Sequence, residues 1–463
     1  MYKPLPKLLS FSLGICLVTF SSLSLVGCRY GQVNTILSNA NENVLNVWWS
    51  EGYYPEETEA IQASVNAWKA ENETDVQITF FSEKDLVQQV ENAMKAGNPP
   101  DIIYSYSIDL VLLPQLAWQG KLADVSSIIE PIKQLYFPEA LKNVYYFNNQ
   151  TKKRSYYAVP ISQQTTYIHY WQDLLIQAGV DGGNLPKEWE SFWRLWETAQ
   201  NTLRNQGVSD IYAIGLPMSM VATDTFTVFE QFLEAYDVEL LDAQGSLRLD
   251  DPQVRQGIIR ALEAYTAPYL NKFVPPNATE WGDPDNNINF LSNGALMTAN
   301  GSLSIPGSQR GDEVNYFQRM RTIPWPNKPN NTPMRYVTSV KQIGILAETD
   351  RLEEAKSLVA FLIEPENLET YLQGAQGRFL PVMPAITESE FWSNGKDPHI
   401  SVAITQFANA RSSYVVDNPA YSEVLAQNIW GQAIYAVATE KLTPEKATDQ
   451  AIEKITNIFR QWK

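Results

Sequence analysis

The sequence predicts an α/β protein of two lobes, and three observations carry that reading. From Val44 onward, short apolar strand-like runs alternate with amphipathic helix-like runs, the βαβαβ order that demands parallel strands and right-handed crossovers. A second alternation of the same kind begins near Tyr156. The chain has 463 residues, of which roughly 420 follow the N-terminal segment, more than one core ordinarily holds.

The elements follow in order. Residues 44–49 form a continuous apolar run that reads as a buried strand. Residues 55–72 read as a helix: Pro55-Glu56-Glu57 suit a first turn, and Ile61, Val65 and Trp68 share a face. Residues 76–81, β-branched and aromatic, predict a second strand. A helix over 83–96 keeps Leu86, Val90 and Met94 in register and closes at Gly97. Residues 101–104 predict a third strand and 108–118 a third helix, ended by Gly120. Ligands of parallel sheets bind beyond the C-terminal strand ends. Here those ends are Ser50-Glu51-Gly52-Tyr53, Ser82-Glu83 and Ser105-Tyr106-Ser107, polar and aromatic with no glycine-rich phosphate fingerprint.

In the second alternation, strands are expected over 158–161 and 166–170, with Ser162 to Thr165 between them. A helix over 186–205 carries Trp189, Phe192, Trp193, Trp196 and Leu203 on one side. Aromatic residues at helical spacing read as core rather than as a ligand platform. A strand over 211–216, helices over 226–236 and 254–270, and a strand over 294–302 ending in small polar residues follow. A strand within 335–346 and helices over 351–363, 366–373, 420–438 and 444–462 close the chain.

Composition removes several classes of function. The formal net charge is −17, or −19 once Lys3 and Lys7 of the leader are set aside, which argues against nucleic acid and anionic membrane surfaces as partners. Two cysteines occur, Cys16 and Cys28, both near the N-terminus, so the fold is expected to hold no disulfide and to use no thiol chemistry. The two histidines, His169 and His399, have no metal spacing, and neither metal nor cofactor is expected. Asp283-Pro284-Asp285-Asn286-Asn287 is similar to a calcium loop, but Ile288 occupies the glycine position and the final Glu is missing, so it reads as a solvated loop. There is no Gly-x-Ser-x-Gly and no phosphate loop, so ATP hydrolysis is not expected. The 13 Trp and 23 Tyr suit ligands with apolar faces and polar edges, such as sugars.

At the N-terminus, Lys3 and Lys7 precede a long apolar run that ends in Leu25-Val26-Gly27-Cys28. A basic start, apolar core and small residues before a cut site mark an export signal over 1–27. Leu-Val-Gly-Cys resembles the lipobox of bacterial lipoproteins, which makes Cys28 the lipidation site. Residues 28–43 are then a polar tether, and the folded part is expected on the extracytoplasmic, periplasmic side, held to the membrane through the lipid alone.

The order of short blocks completes the reading. Gly97-Asn98-Pro99-Pro100-Asp101-Ile102, Tyr157-Ala158-Val159-Pro160, Tyr170-Trp171-Gln172-Asp173-Leu174-Leu175, Pro186-Lys187-Glu188-Trp189, Gly294-Ala295-Leu296-Met297, Pro365-Glu366-Asn367 and Leu442-Thr443-Pro444-Glu445 stand in sequence. In that order they resemble the extracellular solute-binding proteins of ABC importers, the large family that includes the maltose-binding type. Two positions depart from its pattern, Trp171 where Asn is common and Glu188 where Thr is common. The resemblance implies a two-lobed periplasmic-binding-protein fold of the class II type, with discontinuous lobes and a ligand cleft between them. The expected first lobe takes 44–160 and 300–349, and the second 161–299 and 350–463. The implied function is a monomeric receptor that delivers a small solute, a sugar or polyol, to ABC permease subunits. A secreted carbohydrate-active enzyme and a binding-only sensor subunit are the alternatives.

Within that frame the candidate ligand residues lie on loops and strand ends. A sugar site needs flat aromatic faces for C–H surfaces and Asp, Glu, Asn, Gln or Arg for hydroxyls. Trp49, Glu51 and Tyr53 follow the first strand, and Ser105 and Tyr106 the third. Gln163 and Gln164 sit at the first crossover, Asp224 follows a second-lobe strand, and Trp281 lies in the loop before Asn289. Asn300 and Ser302 end the return strand, and Tyr414 lies in a late loop. Arg378 stands in Gly377-Arg378-Phe379-Leu380-Pro381, where the resemblance implies a turn back toward the cleft.

Overall fold

A computed structural model describes residues 44–462; the expected leader, Cys28 and the tether lie outside the described residues. In chain order the early strands are β1 (Val44–Ser50), β2 (Asp75–Phe81), β3 (Ile102–Tyr104), β4 (Tyr145–Asn148), β5 (Lys153–Tyr156) and β6 (Val159–Gln164). The later ones are β7 (Tyr167–Trp171), β8 (Tyr212–Gly215), β9 (Ala295–Asn300), β10 (Met320–Ile323), β11 (Tyr336–Ile345) and β12 (Ala410–Ser412). One sheet has the order β12-β11-β3-β1-β2, with β6 also paired to β11. The other runs β10-β7-β9-β8, and β4 and β5 form a separate hairpin.

The expected parallel unit is present. β1 pairs in parallel with both β2 and β3. Side chains alternate across this sheet as a two-residue period requires. Leu45, Val47, Trp49, Ile102 and Tyr104 enter the core on one face, and Ile103 the core on the other. The helix Pro55–Glu71 covers the first face with Ile61, Val65 and Trp68. The helix Glu83–Ala96 covers the second with Leu86 and Val90. It ends at Gly97, whose φ of 71° is the left-handed value that glycine adopts without strain. Each of these apolar side chains, fully buried, contributes about 1.5–3 kcal/mol.

The second sheet carries its own core. Trp189, Phe192, Trp196 and Leu203 of the helix Trp189–Asn205 are buried there, so the aromatic stripe is packing, as its spacing predicts. Two expected long helices are broken. Residues 108–118 form Ile108–Val111 and Leu113–Trp118, because Pro114 cannot donate into the preceding turn. Residues 420–438 form Ala420–Ala426 and Ile429–Ala438, separated by Asn428, whose φ is 46° and whose side chain caps Gly431.

Packing departs from the expected lobe boundaries in two places. Ala355, Leu358, Tyr371, Trp392 and Ile400 lie in the first core, although 350–463 was expected to join the second lobe. The helix Leu352–Leu362 follows β11 after a connection too short to leave the sheet it has just crossed. Conversely β10, within the expected first-lobe segment 300–349, pairs antiparallel with β7 in the second sheet.

The chain therefore crosses between the cores near 164–167, again around 300–304, along β11 and through β12. The last two crossings are clamped by one carboxylate. Glu234, 1% exposed, takes Lys328 at 2.8 Å, Arg335 at 2.9 Å and Arg411 at 2.8 Å. Burial opposes its ionisation, yet the hydrogen bonds of Arg335 and the charge of Arg411 hold its carboxyl below the usual range. Among the described residues no helix is long and apolar enough to cross a membrane.

Candidate binding cleft

A cavity of about 160 Å³ lies where the two lobes and their crossing segments meet. The loops after β1 and β3 reach it, as do the first turn of Glu83–Ala96 and the first turn of the helix Thr223–Ala235.

The first-lobe wall is largely aromatic and cationic, and its cations are paired. Arg378 lies over the ring of Tyr106 at 4.0 Å, with Phe379 at 4.6 Å and Tyr53 at 5.1 Å, so three rings surround the guanidinium. Its Nη1 is 3.6 Å from Glu57, which is buried behind the wall and accepts the Tyr53 N–H. Nε and Nη1 of Arg378 make no hydrogen bond. Lys341, on β11, donates to Asp109 at 3.2 Å and to Ser339 at 2.7 Å. Tyr106 donates its hydroxyl to the Glu51 carbonyl at 2.7 Å, which fixes its ring.

The second-lobe wall is made of acids and amides. Asp283 accepts the Thr223 hydroxyl at 2.8 Å and the Asp224 N–H at 3.1 Å, and so caps the helix Thr223–Ala235 from another segment. Asp224 accepts from Asn286 at 2.9 Å. Asn287 donates to the Tyr53 hydroxyl at 2.9 Å, a direct bond between the walls, and to Ser304 at 3.1 Å. The crossing segment closes the floor: Asn300 donates to Asn287, and its Oδ1 accepts the Ser302 N–H at 2.9 Å. Gly301 leaves room there, since a Cβ would lie 3.3 Å from Thr227 and 3.5 Å from Asp224.

Three carboxylates from two lobes share this small space. Burial, then the Asp283 charge, pushes the Glu83 carboxyl up to about 7. Burial, again reinforced by Asp283, raises Asp224, and burial raises Asp283. Among the described residues no group of three His, Cys, Asp or Glu has the arrangement of a metal site.

Seven expected ligand residues line the cavity: Tyr53, Tyr106, Gln164, Asp224, Asn300, Ser302 and Arg378. The others do not. Trp49, 2% exposed, stacks on Tyr104 at 4.2 Å inside the first core, because strand alternation turns it away from the cleft. Trp281 and Tyr414 belong to the second core, with the Tyr414 hydroxyl held by Leu240 and Val238 at 3.2 Å. Ser105 is buried, and Glu51 reaches Tyr106 only through its backbone. Gln163 faces the other way, donating to the Pro381 carbonyl at 2.8 Å. With Phe137, Leu380, Ile404, Phe407 and Val340 it lines a second cavity, of about 500 Å³, on the opposite face of the crossing strands.

Sequence reasoning missed Glu83, Ser107, Lys341, Asp283 and Asn287, all of which line the cavity. Glu83 and Ser107 stand at the strand ends where the rule for parallel sheets places ligands. Asp283 and Asn287 fall in the run read as a solvated loop; instead Asp283 caps a helix and Asn287 is buried. Lys341 sits mid-strand with no local signal.

A family model described as bacterial extracellular solute-binding protein matches residues 54–369. The Escherichia coli K12 protein YcjN, named for an ABC transporter periplasmic-binding role, is 25% identical over 254 residues. That match covers 54% of this chain and 53% of YcjN, so the chain spans about half of that relative's length. UgpB of Pectobacterium atrosepticum, named as an sn-glycerol-3-phosphate-binding periplasmic protein, is 21% identical over 80% of this chain and 81% of its own. Among solved structures, an ABC transporter solute-binding protein from Thermotoga lettingae bound with α-D-tagatose superposes with a TM-score of 0.75. It is 19% identical, over 90% of this chain and 99% of that one; at that identity the likeness speaks for the fold.

Proposed function

The chain belongs to the bacterial extracellular solute-binding protein family, and from that premise we propose that it captures a small polyhydroxylated solute between its lobes and delivers it to the membrane subunits of an ABC importer. The observation that carries this reading is the cavity itself. The guanidinium of Arg378, the carboxylates of Glu83 and Asp224 and the amide of Gln164 line one space together with Tyr53. Such a set suits hydroxyls and a ring face rather than a peptide backbone or an apolar molecule. At about 160 Å³ the space is below the roughly 300–1,000 Å³ of drug-sized pockets, so it holds one ring rather than a chain of them.

The protein works outside the cytoplasmic membrane, tethered through a lipid on Cys28, as a monomer. Its lobes are 44–160 with the returning residues of β11 and 350–406, against 167–299 with β10 and 414–462. Solute contacts from both walls favour the closed form over the open one. Family members and structural neighbours are binding proteins, and the receptor reading has no catalytic step.

Calorimetry with single sugars and polyols, paired with chromatography of incubated oligosaccharides, tests this. The expected result is saturable binding with every oligosaccharide left intact. Hydrolysis would replace the reading by that of a glycosidase. Binding of peptides alone would remove the carbohydrate class and leave a receptor.

A further inference from the structure

The cavity is short of positive charge. Its two cations each face a buried acid of their own: Lys341 binds Asp109, and Arg378 stands against Glu57. Glu83, Asp224 and Asp283 have no cationic partner among the described residues, although all three line the cavity. Asp283 is offset in part by the helix start that it caps. Asp224 has one oxygen on Asn286, and the Glu83 carboxylate accepts no hydrogen bond among the described residues. Carboxylates enclosed without a counter-charge cost several kcal/mol, which a bound cation would remove.

The same geometry turns anions away. Two helices open their first turns onto the cavity, the usual place for a phosphate. One start is filled by Asp283, and the other carries Glu83 as its first residue. Opposite them the guanidinium of Arg378, 8% exposed and with Nη1 turned toward Glu57, lines the cavity together with Lys341, so a bound molecule must also offer an acceptor on that side. The occupant is therefore asked for a cation with several N–H donors on one side and hydroxyl oxygen on the other, within one ring.

We infer that the solute is a single-ring amino sugar or aminocyclitol, its ammonium lying among Glu83, Asp224 and Asp283 and its hydroxyl oxygens accepting from Arg378. This names the substrate class within the proposed function and rests on it. An ammonium brings three donors, which suits the free oxygens of Glu83 and Asp224. The upward push of burial on the Glu83 and Asp224 carboxyls agrees, because carboxylates without a counter-charge favour their protonated form.

The test is calorimetry on the purified protein at pH 7 with matched pairs: D-glucosamine against D-glucose, D-galactosamine against D-galactose, and D-mannosamine against D-mannose. At least one amine is expected to bind about tenfold or more tightly than its hydroxyl parent, on the scale of one enclosed charge pair. N-acetylation should abolish that advantage, and Glu83→Gln should shrink the ratio. Glu83→Gln deletes no intramolecular hydrogen bond among the described residues, so its fold should survive, which circular dichroism checks. If no amine exceeds its parent by more than twofold, the inference is overturned. Neutral sugars binding without preference overturn this inference alone and leave the carbohydrate reading standing. A panel in which no sugar binds, charged or neutral, overturns both.

Discussion

The two walls of the cleft solve the problem of enclosed charge in opposite ways. On the first-lobe wall both cations have internal partners, Arg378 with Glu57 and three rings and Lys341 with Asp109, while the Glu83 carboxylate has none among the described residues. On the second-lobe wall Asp224 and Asp283 have only neutral donors, and Glu83 reaches toward them from across the gap. The cations of the cleft are thus matched without a ligand, whereas its carboxylates are matched only with one. Stability and recognition are divided between the paired cations and the unpaired carboxylates, and substitutions should separate them.

The largest expected effects fall behind the walls. Trp49→Ala should cost about 3–5 kcal/mol of stability, the range for emptying a large aromatic site in a core. Because Trp49 touches Tyr104 and not the cavity, the affinity of the folded protein should stay within about twofold. Urea denaturation and calorimetry read the two quantities; lost affinity with intact stability would return Trp49 to the cleft. Next comes the paired wall. Arg378→Met strands Glu57 inside the first lobe and should cost about 3–5 kcal/mol. Glu57→Gln added to it should recover part of that loss. No recovery would mean that the rings, not the ion pair, hold the wall together.

The unpaired wall should respond to pH instead. Glu83 is raised in the fold to about 7, so between its unfolded value near 4.5 and pH 7 the folded state binds more protons than the unfolded chain. Its contribution is therefore favourable at acid pH and declines as pH rises through that window. Asp224 and Asp283, also raised, act in the same direction. The effect should be on the order of 1 kcal/mol per group, allowing for solvent at the cavity. Denaturation of ligand-free protein at pH 5 and pH 7.5 should show it, and Glu83→Gln with Asp224→Asn should flatten the slope. A slope of unchanged size would place these carboxylates in open water. The smallest effect concerns the bond between the walls. Asn287→Ala removes the donor to Tyr53 and should cost the closed form about 0.5–1.5 kcal/mol. Scattering at saturating solute should then show a larger radius of gyration than the parent.

The fold was legible because its signals are local and repeated. β1, β2, β3 and the helices between them announce themselves by period, caps and Gly97. The cleft was half legible, and the misses have distinct causes. Trp49 lies inside β1 and packs in the core, whereas Tyr53 lies in the loop beyond the strand's end and reaches the cavity, and where the strand stops is not visible in the apolar run. On β6 it is strand pleat, invisible without the sheet's orientation, that sends the adjacent Gln163 and Gln164 to opposite faces. Asp283 could be recognised only once the helix that it caps was in place, 59 residues away in sequence. The helices Leu352–Leu362 and Pro365–Gly374 went to the first core because a short connection after β11, not composition, decides which sheet they cover.

That pair of glutamines has a practical consequence. Gln164 faces the solute cavity while Gln163, its neighbour, faces the larger apolar chamber behind the crossing strands. A dye attached at the rim of that chamber, for instance at Ala408, would be separated from the solute by the thickness of one sheet. It would nonetheless rest against the strands that join the lobes, which the proposed closure would bend. The back of the hinge is in this sense an optical window on the front, and an environment-sensitive fluorophore there offers a reagentless sensor whose readout never competes with the molecule it measures.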